Sequence, residues 1–462
     1  MKMKKWLVCL TLIYATANLS AQKKYEADWA SLDTRPIPAW YENAKFGIFI
    51  HWGLYSVPSW APNTGDVYSR YAEWYWHRIN PNDKDGEAFR VHHREMYGDK
   101  FQYQDFVSGF KAELFNPDQW ADIIKSSGAK YVVLTSKHHE GFALWQSPQS
   151  VNWNSVDVGP HRDICGELTD AVRKKGMHMG FYFSLYEWNH PMYKENVNQY
   201  VDEHMIPQLK DLTTRYKPEV IWGDGEWEHS SKVWKSEEFL AWLFNESPVK
   251  ETVVVNDRWG EETRSKHGSF YTTEYDLIHE ADSKDVKFTH PWEECRGVSG
   301  SFGFNRNENL EDYSSAKELI HILIEKVARG GNLLLNVGPT ADGRIPVIMQ
   351  ERLSEIGKWL DVNGEAIYET RRCDDMVSTE QKGVFCTRKG NDLYVIVTEW
   401  NNKPVRIKGV KNTQKVTLLG STQKISYKTG NGAITITPPV LDITNIPCQH
   451  AWTYKIENAF IR

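Results

Sequence analysis

At 462 residues the chain is too long for one ordinary compact domain and suits a barrel-sized unit followed by a smaller one. Hydrophobic residues make up 40% and charged residues 25%, a balance that describes a soluble globular protein and excludes a disordered one. The net charge of −6 argues against nucleic acid as a partner, because neutralising phosphates takes a basic surface.

The N-terminus reads as a signal peptide. Lys2, Lys4 and Lys5 give a positive start, residues 6–17 are mostly apolar but too few to span a bilayer, and Leu19-Ser20-Ala21 offers small residues for cleavage before Gln22. Removal of residues 1–21 is therefore expected, with a secreted or periplasmic destination. The segment carries three lysines and no acid, so its loss would take the net charge from −6 to −9. No later run is long and apolar enough for a membrane span.

From residue 45 to residue 368, short apolar runs alternate with amphipathic helices. Strands are expected at 45–53, 130–137, 177–186, 220–224, 252–257, 269–274 and 332–337, as parallel strands buried on both faces would appear. Between them, Asn116 can cap a helix that begins at Pro117, buries Trp120, Ile123 and Ile124, and stops at Gly128. Leu319, Ile322, Leu323 and Val327 repeat that pattern before Gly330. Such alternation predicts an α/β fold, a (β/α)8-like barrel over residues 22–368. A doubly wound sheet is the alternative, and no GxGxxG follows the first strand to support it. After residue 368 short alternating runs at 392–397, 416–419 and 433–436, separated by Gly, Lys, Asn and Thr, predict a small antiparallel β-sandwich over 369–462.

Five cysteines remain after the leader: Cys165, Cys295, Cys373, Cys386 and Cys448. They form neither a disulfide framework nor a zinc spacing; a Cys373–Cys386 bridge is allowed but not required.

Barrel enzymes place their chemistry at the carboxyl ends of the strands. Those ends carry His51 and Trp52, then Lys137, His138, His139 and Glu140, then Tyr186, Glu187 and Trp188, with Tyr182 inside its strand. Asp224 and Glu226 follow, then Asn256, Asp257, Arg258 and Trp259, then Glu274. Six successive strands ending in polar, aromatic-flanked clusters point to a site. The excess of aromatics, 20 Trp and 22 Tyr, suits either a large aromatic core or sugar rings, which show one apolar face and a hydroxyl rim. Asp224 lies between glycines that would leave room for a ligand, with Trp222 and Trp227 as walls. A retaining glycosidase pairs such a carboxylate with a second one roughly 5–5.5 Å away; Glu274 and Glu293 are both candidates for that acid/base. Neighbouring strand residues point to opposite faces, so His138 and His139 are not expected to share a metal ion, and no HExxH motif is present.

These residues occur in stretches that resemble one family. The runs 46–53 (FGIFIHWG), 73–75 (EWY), 136–142 (SKHHEGF), 221–227 (IWGDGEW), 256–260 (NDRWG), 302–306 (FGFNR) and 331–339 (GNLLLNVGP) are similar, in order, to the α-L-fucosidases of glycoside hydrolase family 29. The resemblance implies a barrel followed by a sandwich and a retaining exo-acting mechanism with no metal or cofactor. Asp224 is then the nucleophile and Glu274 the acid/base, with Glu293 the alternative. Sugar contacts fall on His51, Glu73, Trp74, His138, His139, Tyr182, Trp222 and Arg258, and Phe49 and Phe302 wall the fucose methyl. A dry aromatic wall disfavours the hydroxyl that other sugars carry there. Cys295 is expected to be structural. The substrate would be a fucosylated oligosaccharide or glycoconjugate, and a homo-oligomer is compatible with the sequence. Linkage preference, set by the loops at 261–267 and 282–289, stays open. Two other readings are a non-catalytic fucose-binding protein on the same scaffold and a glycosidase of another sugar specificity.

Overall fold

The computed structural model describes residues 24–278, 281–282 and 289–460. The expected signal peptide and most of the 282–289 loop lie outside them. In chain order the first ten strands are β1 (Phe46–Ile50), β2 (Tyr131–Lys137), β3 (His178–Ser184), β4 (Val220–Asp224), β5 (Val254–Val255), β6 (Tyr271–Glu274), β7 (Leu277–Ile278), β8 (Ala281–Asp282), β9 (Trp292–Gly297) and β10 (Asn332–Val337).

They form one curled sheet in the order β5-β4-β3-β2-β1-β10-β9-β6-β7-β8. The eight strands from β5 through β6 are mutually parallel; β7 and β8 add an antiparallel appendix. Every residue of β1, β2, β4 and β10 is buried, as helices covering the outside and side chains filling the inside require. Among the described residues no ladder joins β5 to β6. Two backbone bonds to the Val255 carbonyl, from Ser269 at 2.9 Å and Phe270 at 3.3 Å, hold that seam.

The helices form where their end signals lie. Asn116 accepts from the Gln119 amide at 3.1 Å and starts Pro117–Ser126; Ser315 and Glu318 make a reciprocal capping box for Ala316–Ala328. Strand β9 was not expected. Its sequence, WEECRG, places two glutamates and an arginine in six residues, yet Glu293 and Glu294 are wholly buried. Alternation sends them to opposite faces. Glu294 accepts from Thr273 and from the Asp276 amide, whereas Glu293 faces Tyr41, Tyr131 and Trp222.

Beyond the barrel, β11 (Val384–Lys389), β12 (Asp392–Val397), β13 (Val405–Lys408), β14 (Lys415–Leu418), β15 (Ser426–Gly430), β16 (Ala433–Thr437) and β17 (Trp452–Glu457) build two antiparallel sheets, β11-β12-β17-β14 and β13-β16-β15. Leu393, Val395, Ile407, Ile434 and Ile436 share a second core. On the other face of β12, Tyr394 and Ile396 belong to the barrel's core. One strand thus docks the sandwich on the barrel, which explains why it reads as continuously apolar. The thiols of Cys373 and Cys386 are free, as are Cys165, Cys295 and Cys448.

Candidate active site

A cavity of about 410 Å³ opens at the carboxyl ends of the parallel strands. Strand β1 delivers Phe49 and, one residue past its end, His51. The turn after β2 delivers His138 and His139, β3 delivers Tyr182, and β4 delivers Trp222 and Asp224. Arg258 follows β5, Glu274 ends β6, and Phe302 follows β9; Glu73 and Trp74 enter from the long β1–β2 connection. Twelve of the thirteen expected site residues therefore line one cavity. Glu293 does not.

Two side chains break the expected pattern. His138 and His139 both face the cavity, with ring centroids 4.2 Å apart. They lie beyond Lys137, where β2 has ended after a register shift, so strand alternation no longer separates them. The glycines beside Asp224 serve the backbone rather than the ligand. A side chain on Gly223 would meet the Arg258 carbonyl at 2.7 Å, and Gly225, at φ +74, would meet Tyr186.

At the centre, Arg258 donates from Nη1 to Oδ1 of Asp224 at 2.8 Å and from Nη2 to Oε2 of Glu274 at 3.0 Å. Its Nε donates to Thr272 Oγ1 at 3.1 Å, and that hydroxyl donates to Asp257 at 2.7 Å. Tyr182 donates to Oδ2 of Asp224 at 2.8 Å, and Tyr71 donates to Oε1 of Glu274 at 2.7 Å. Burial alone would raise the Asp224 pKa; the positive charge of Arg258, with Arg264 beyond it, outweighs burial and holds the carboxyl well below the usual carboxylate range. Asp224 is thus an ionised, oriented carboxylate and caps no turn.

Burial has the opposite result elsewhere. Glu73 is pushed up to about 8 by desolvation, although its Oε2 accepts from the Gly303 amide at 2.8 Å. Glu293 is pushed up to about 7 for the same reason; its carboxyl accepts from Tyr41, Tyr131 and the Trp222 indole beneath the cavity floor. Burial also depresses His51, His138 and His139, so that all three imidazoles are neutral. His51 Nδ1 lies 2.7 Å from Asn336 Oδ1, and His139 Nδ1 lies 2.6 Å from Ser184 Oγ. Among the described residues no group of three His, Cys, Asp or Glu is arranged to hold a metal ion.

Sequence profiles place the chain. The α-L-fucosidase profile matches residues 12–365, and that of the α-L-fucosidase C-terminal domain matches residues 377–457. The chain belongs to the α-L-fucosidase family. It is 43% identical over 460 residues to the α-L-fucosidase of Branchiostoma floridae, covering 97% of this chain and 99% of that one. It is 42% identical over 445 residues to the human tissue α-L-fucosidase, covering 94% and 92%. The crystal structure of Thermotoga maritima α-fucosidase in complex with fucose superposes with a TM-score of 0.77 at 34% identity, over 94% of this chain and 100% of that one.

One side of this fucosidase's cavity is an apolar aromatic wall. Phe49 packs against Trp222 at 5.2 Å between ring centroids, and Phe302 against His51 at 4.8 Å. The mouth is aromatic as well, with Trp74 and Trp227 each 5.4 Å from the His139 ring. The lining also includes Tyr68, Tyr71, Arg78, Arg264 and Leu277, which the sequence reading did not single out. Tyr71 stands two residues before Glu73, just outside the matched run 73–75, and that adjacency was the available signal. Arg264 lies in the undiagnostic 261–267 loop and offered none. It pairs with Glu226 at 2.5 Å and approaches Asp224 to 3.9 Å.

Proposed function

We propose that this fucosidase is exo-acting and retaining, with Asp224 as nucleophile and Glu274 as acid/base. The observation that carries the reading is the Arg258 fork, which grips both carboxylates with one guanidinium. That supports the short separation of the retaining class, roughly 5–5.5 Å. Asp224 is the nucleophile because its charge is stabilised and both oxygens are oriented. Glu274 is the acid/base because it stands at the cavity wall, whereas Glu293 is sealed under the floor with its oxygens already engaged by three donors.

In the first step Asp224 attacks the anomeric carbon while Glu274 protonates the departing glycosidic oxygen. The glycosyl ester that forms removes the charge on Asp224. Glu274, left as a carboxylate by the first step and still held by Arg258, next deprotonates water. Attack of that water releases fucose and regenerates Asp224.

The remaining site residues hold the sugar. His51, His138, His139 and Glu73 meet its hydroxyls, Trp74 and Trp222 flank it, and Phe49 and Phe302 receive its methyl. A single terminal fucose fits a pocket of this size, and the Thermotoga relative binds fucose. We read residues 22–368 as the catalytic unit, 369–462 as the sandwich, and 1–21 as a leader directing secretion.

Proton NMR of the first product tests the mechanism: α-L-fucose appears before mutarotation if configuration is retained, and β-L-fucose first would exclude it. A panel of nitrophenyl glycosides separates a fucosidase from a galactosidase, and fucose binding without turnover would identify a lectin-like protein.

A further inference from the structure

Of the three cavity histidines, one is bonded differently from the others. Asn336 Nδ2 donates to the Phe302 carbonyl, so its Oδ1 can only accept, and His51 must carry its proton on Nδ1. Ser184 spends its single proton on the Tyr186 carbonyl at 2.6 Å, so His139 must also donate from Nδ1. Both neutral rings consequently offer a bare Nε2 lone pair on their other edge.

His138 has no such partner. Its Nδ1 is buried and unbonded, and so is Oε2 of Glu140, 3.6 Å away. Glu140 is 1% exposed, and its backbone is fixed by the Trp153 indole, which donates to its carbonyl at 2.9 Å. The groups around the carboxyl are Lys137, Glu187, Tyr55, Tyr103 and His138. Lys137 is already paired with Glu187 at 2.6 Å and cannot neutralise a second carboxylate. A buried carboxyl with no free cation is held neutral, and a proton between Oε2 and Nδ1 satisfies both orphaned atoms once the two side chains close by about half an ångström to hydrogen-bond distance.

We propose that Glu140 is a positioning residue for sugar binding: as a neutral acid it donates to His138 Nδ1 and thereby fixes the proton of His138 on Nε2, toward the cavity. His138 is then the one histidine of the three that donates to a sugar hydroxyl, while His51 and His139 accept. The His138 ring stacks on Tyr182 at 5.4 Å and 13°, which keeps that edge aimed. Glu140 does not line the cavity and touches no substrate. The inference rests on His138 contacting fucose, and the test separates the two claims.

Ionisation of Glu140 would reverse the polarity, because a carboxylate takes the proton on Nδ1 and leaves Nε2 a bare acceptor. Burial raises this acid to about 8. L-Fucose is bound without chemistry, so the Kd of the full-length protein for L-fucose, followed by calorimetry from pH 6 to 10, reads the switch. Wild type is expected to weaken about tenfold between pH 7 and pH 9. Glu73 titrates in the same range in both proteins, so Glu140→Gln, whose amide donates to Nδ1 at every pH, is expected to show a shallower profile than wild type and to bind fucose more tightly than wild type at pH 9. Matching profiles in the two proteins overturn the proposal. Should the Gln variant not fold, long-range 1H–15N correlation of histidine-labelled wild type at pH 7 decides: an Nε2-protonated His138 beside two Nδ1-protonated rings supports it, and an Nδ1-protonated His138 overturns it. If fucose leaves the His138 signals unmoved, the contact itself is wrong, whichever tautomer is found.

Discussion

The Tyr182 hydroxyl meets Oδ2 of Asp224 at 2.8 Å from the adjacent strand, while Arg258 takes Oδ1. The carboxylate is held through both oxygens before any sugar enters, so its removal leaves a shaped vacancy in an intact wall. Asp224→Gly is expected to fold normally and to lose aryl-fucoside hydrolysis by at least about 10⁴-fold. Azide should then restore turnover and yield the inverted fucosyl azide, identified by NMR. Unaltered hydrolysis in this variant removes Asp224 from the role.

Arg258→Lys replaces a planar fork with a single point charge, which cannot serve two carboxylates at once. The expected loss in kcat/KM is on the order of 10²-fold or more, in line with the ~3–5 kcal/mol cost of breaking a buried pair. Arg258 is the chief group holding Asp224 below the ordinary range, and burial pushes the other way. With the fork weakened, the Asp224 pKa rises, and the acid limb of the kcat/KM profile moves to higher pH. An unmoved limb would show that Arg258 does not set the charge of Asp224.

Leaving-group dependence separates the two glutamates. Glu274→Ala is expected to spare substrates with acidic phenol leaving groups and to lose activity on natural glycosidic bonds, which need protonation. Glu293→Gln changes the acceptor of three buried donors, so it should cost about 1–3 kcal/mol in urea unfolding without that selectivity. The reverse pattern would exchange their roles.

Phe302 lies 5% exposed beside Phe49 at the apolar wall. Phe302→Ala opens space where the fucose methyl is proposed to sit and a galactose hydroxymethyl would clash. The ratio of galactoside to fucoside kcat/KM is expected to rise about tenfold or more. A constant ratio would place the methyl elsewhere.

Behind the histidine turn, Lys137 and Glu187 pair at 2.6 Å with both side chains buried. Burial would raise the Glu187 pKa, but Lys137 and His204 hold it well below the usual value. A depressed carboxyl stabilises fully above its unfolded pKa of about 4.3, and that contribution fades as pH falls below it. Glu187→Gln should therefore lower unfolding free energy by about 3–5 kcal/mol at pH 7, and the gap from wild type should narrow at pH 4. A gap independent of pH would mean the pair is not linked to protons.

Much of this architecture was legible because parallel strands leave apolar runs and barrel chemistry sits where such runs stop. That logic points to His51, Asp224, Arg258 and Glu274, all of which line the cavity. It failed at β9, where burial is achieved by pairing Glu293 and Glu294 with hydroxyls, indole and backbone rather than by apolar side chains. A pattern based on hydrophobicity does not register such a strand. It also missed Arg264, because a loop residue's position depends on the path of the chain, and it misassigned the glycines beside Asp224, whose tight contacts are with neighbouring loops.

Where β5 and β6 meet, the cylinder is stitched by Val255, Asp257, Thr272, Glu274 and Arg258. Four of those five belong to or support the proposed reacting centre, so the seam's mortar is also its machinery. Anyone wanting an inert but rigid version for trapping glycans should disarm Asp224, which sits on β4 and touches the join only through Arg258, and leave Arg258 and Glu274 in place. Altering either of those loosens the wall together with the reaction.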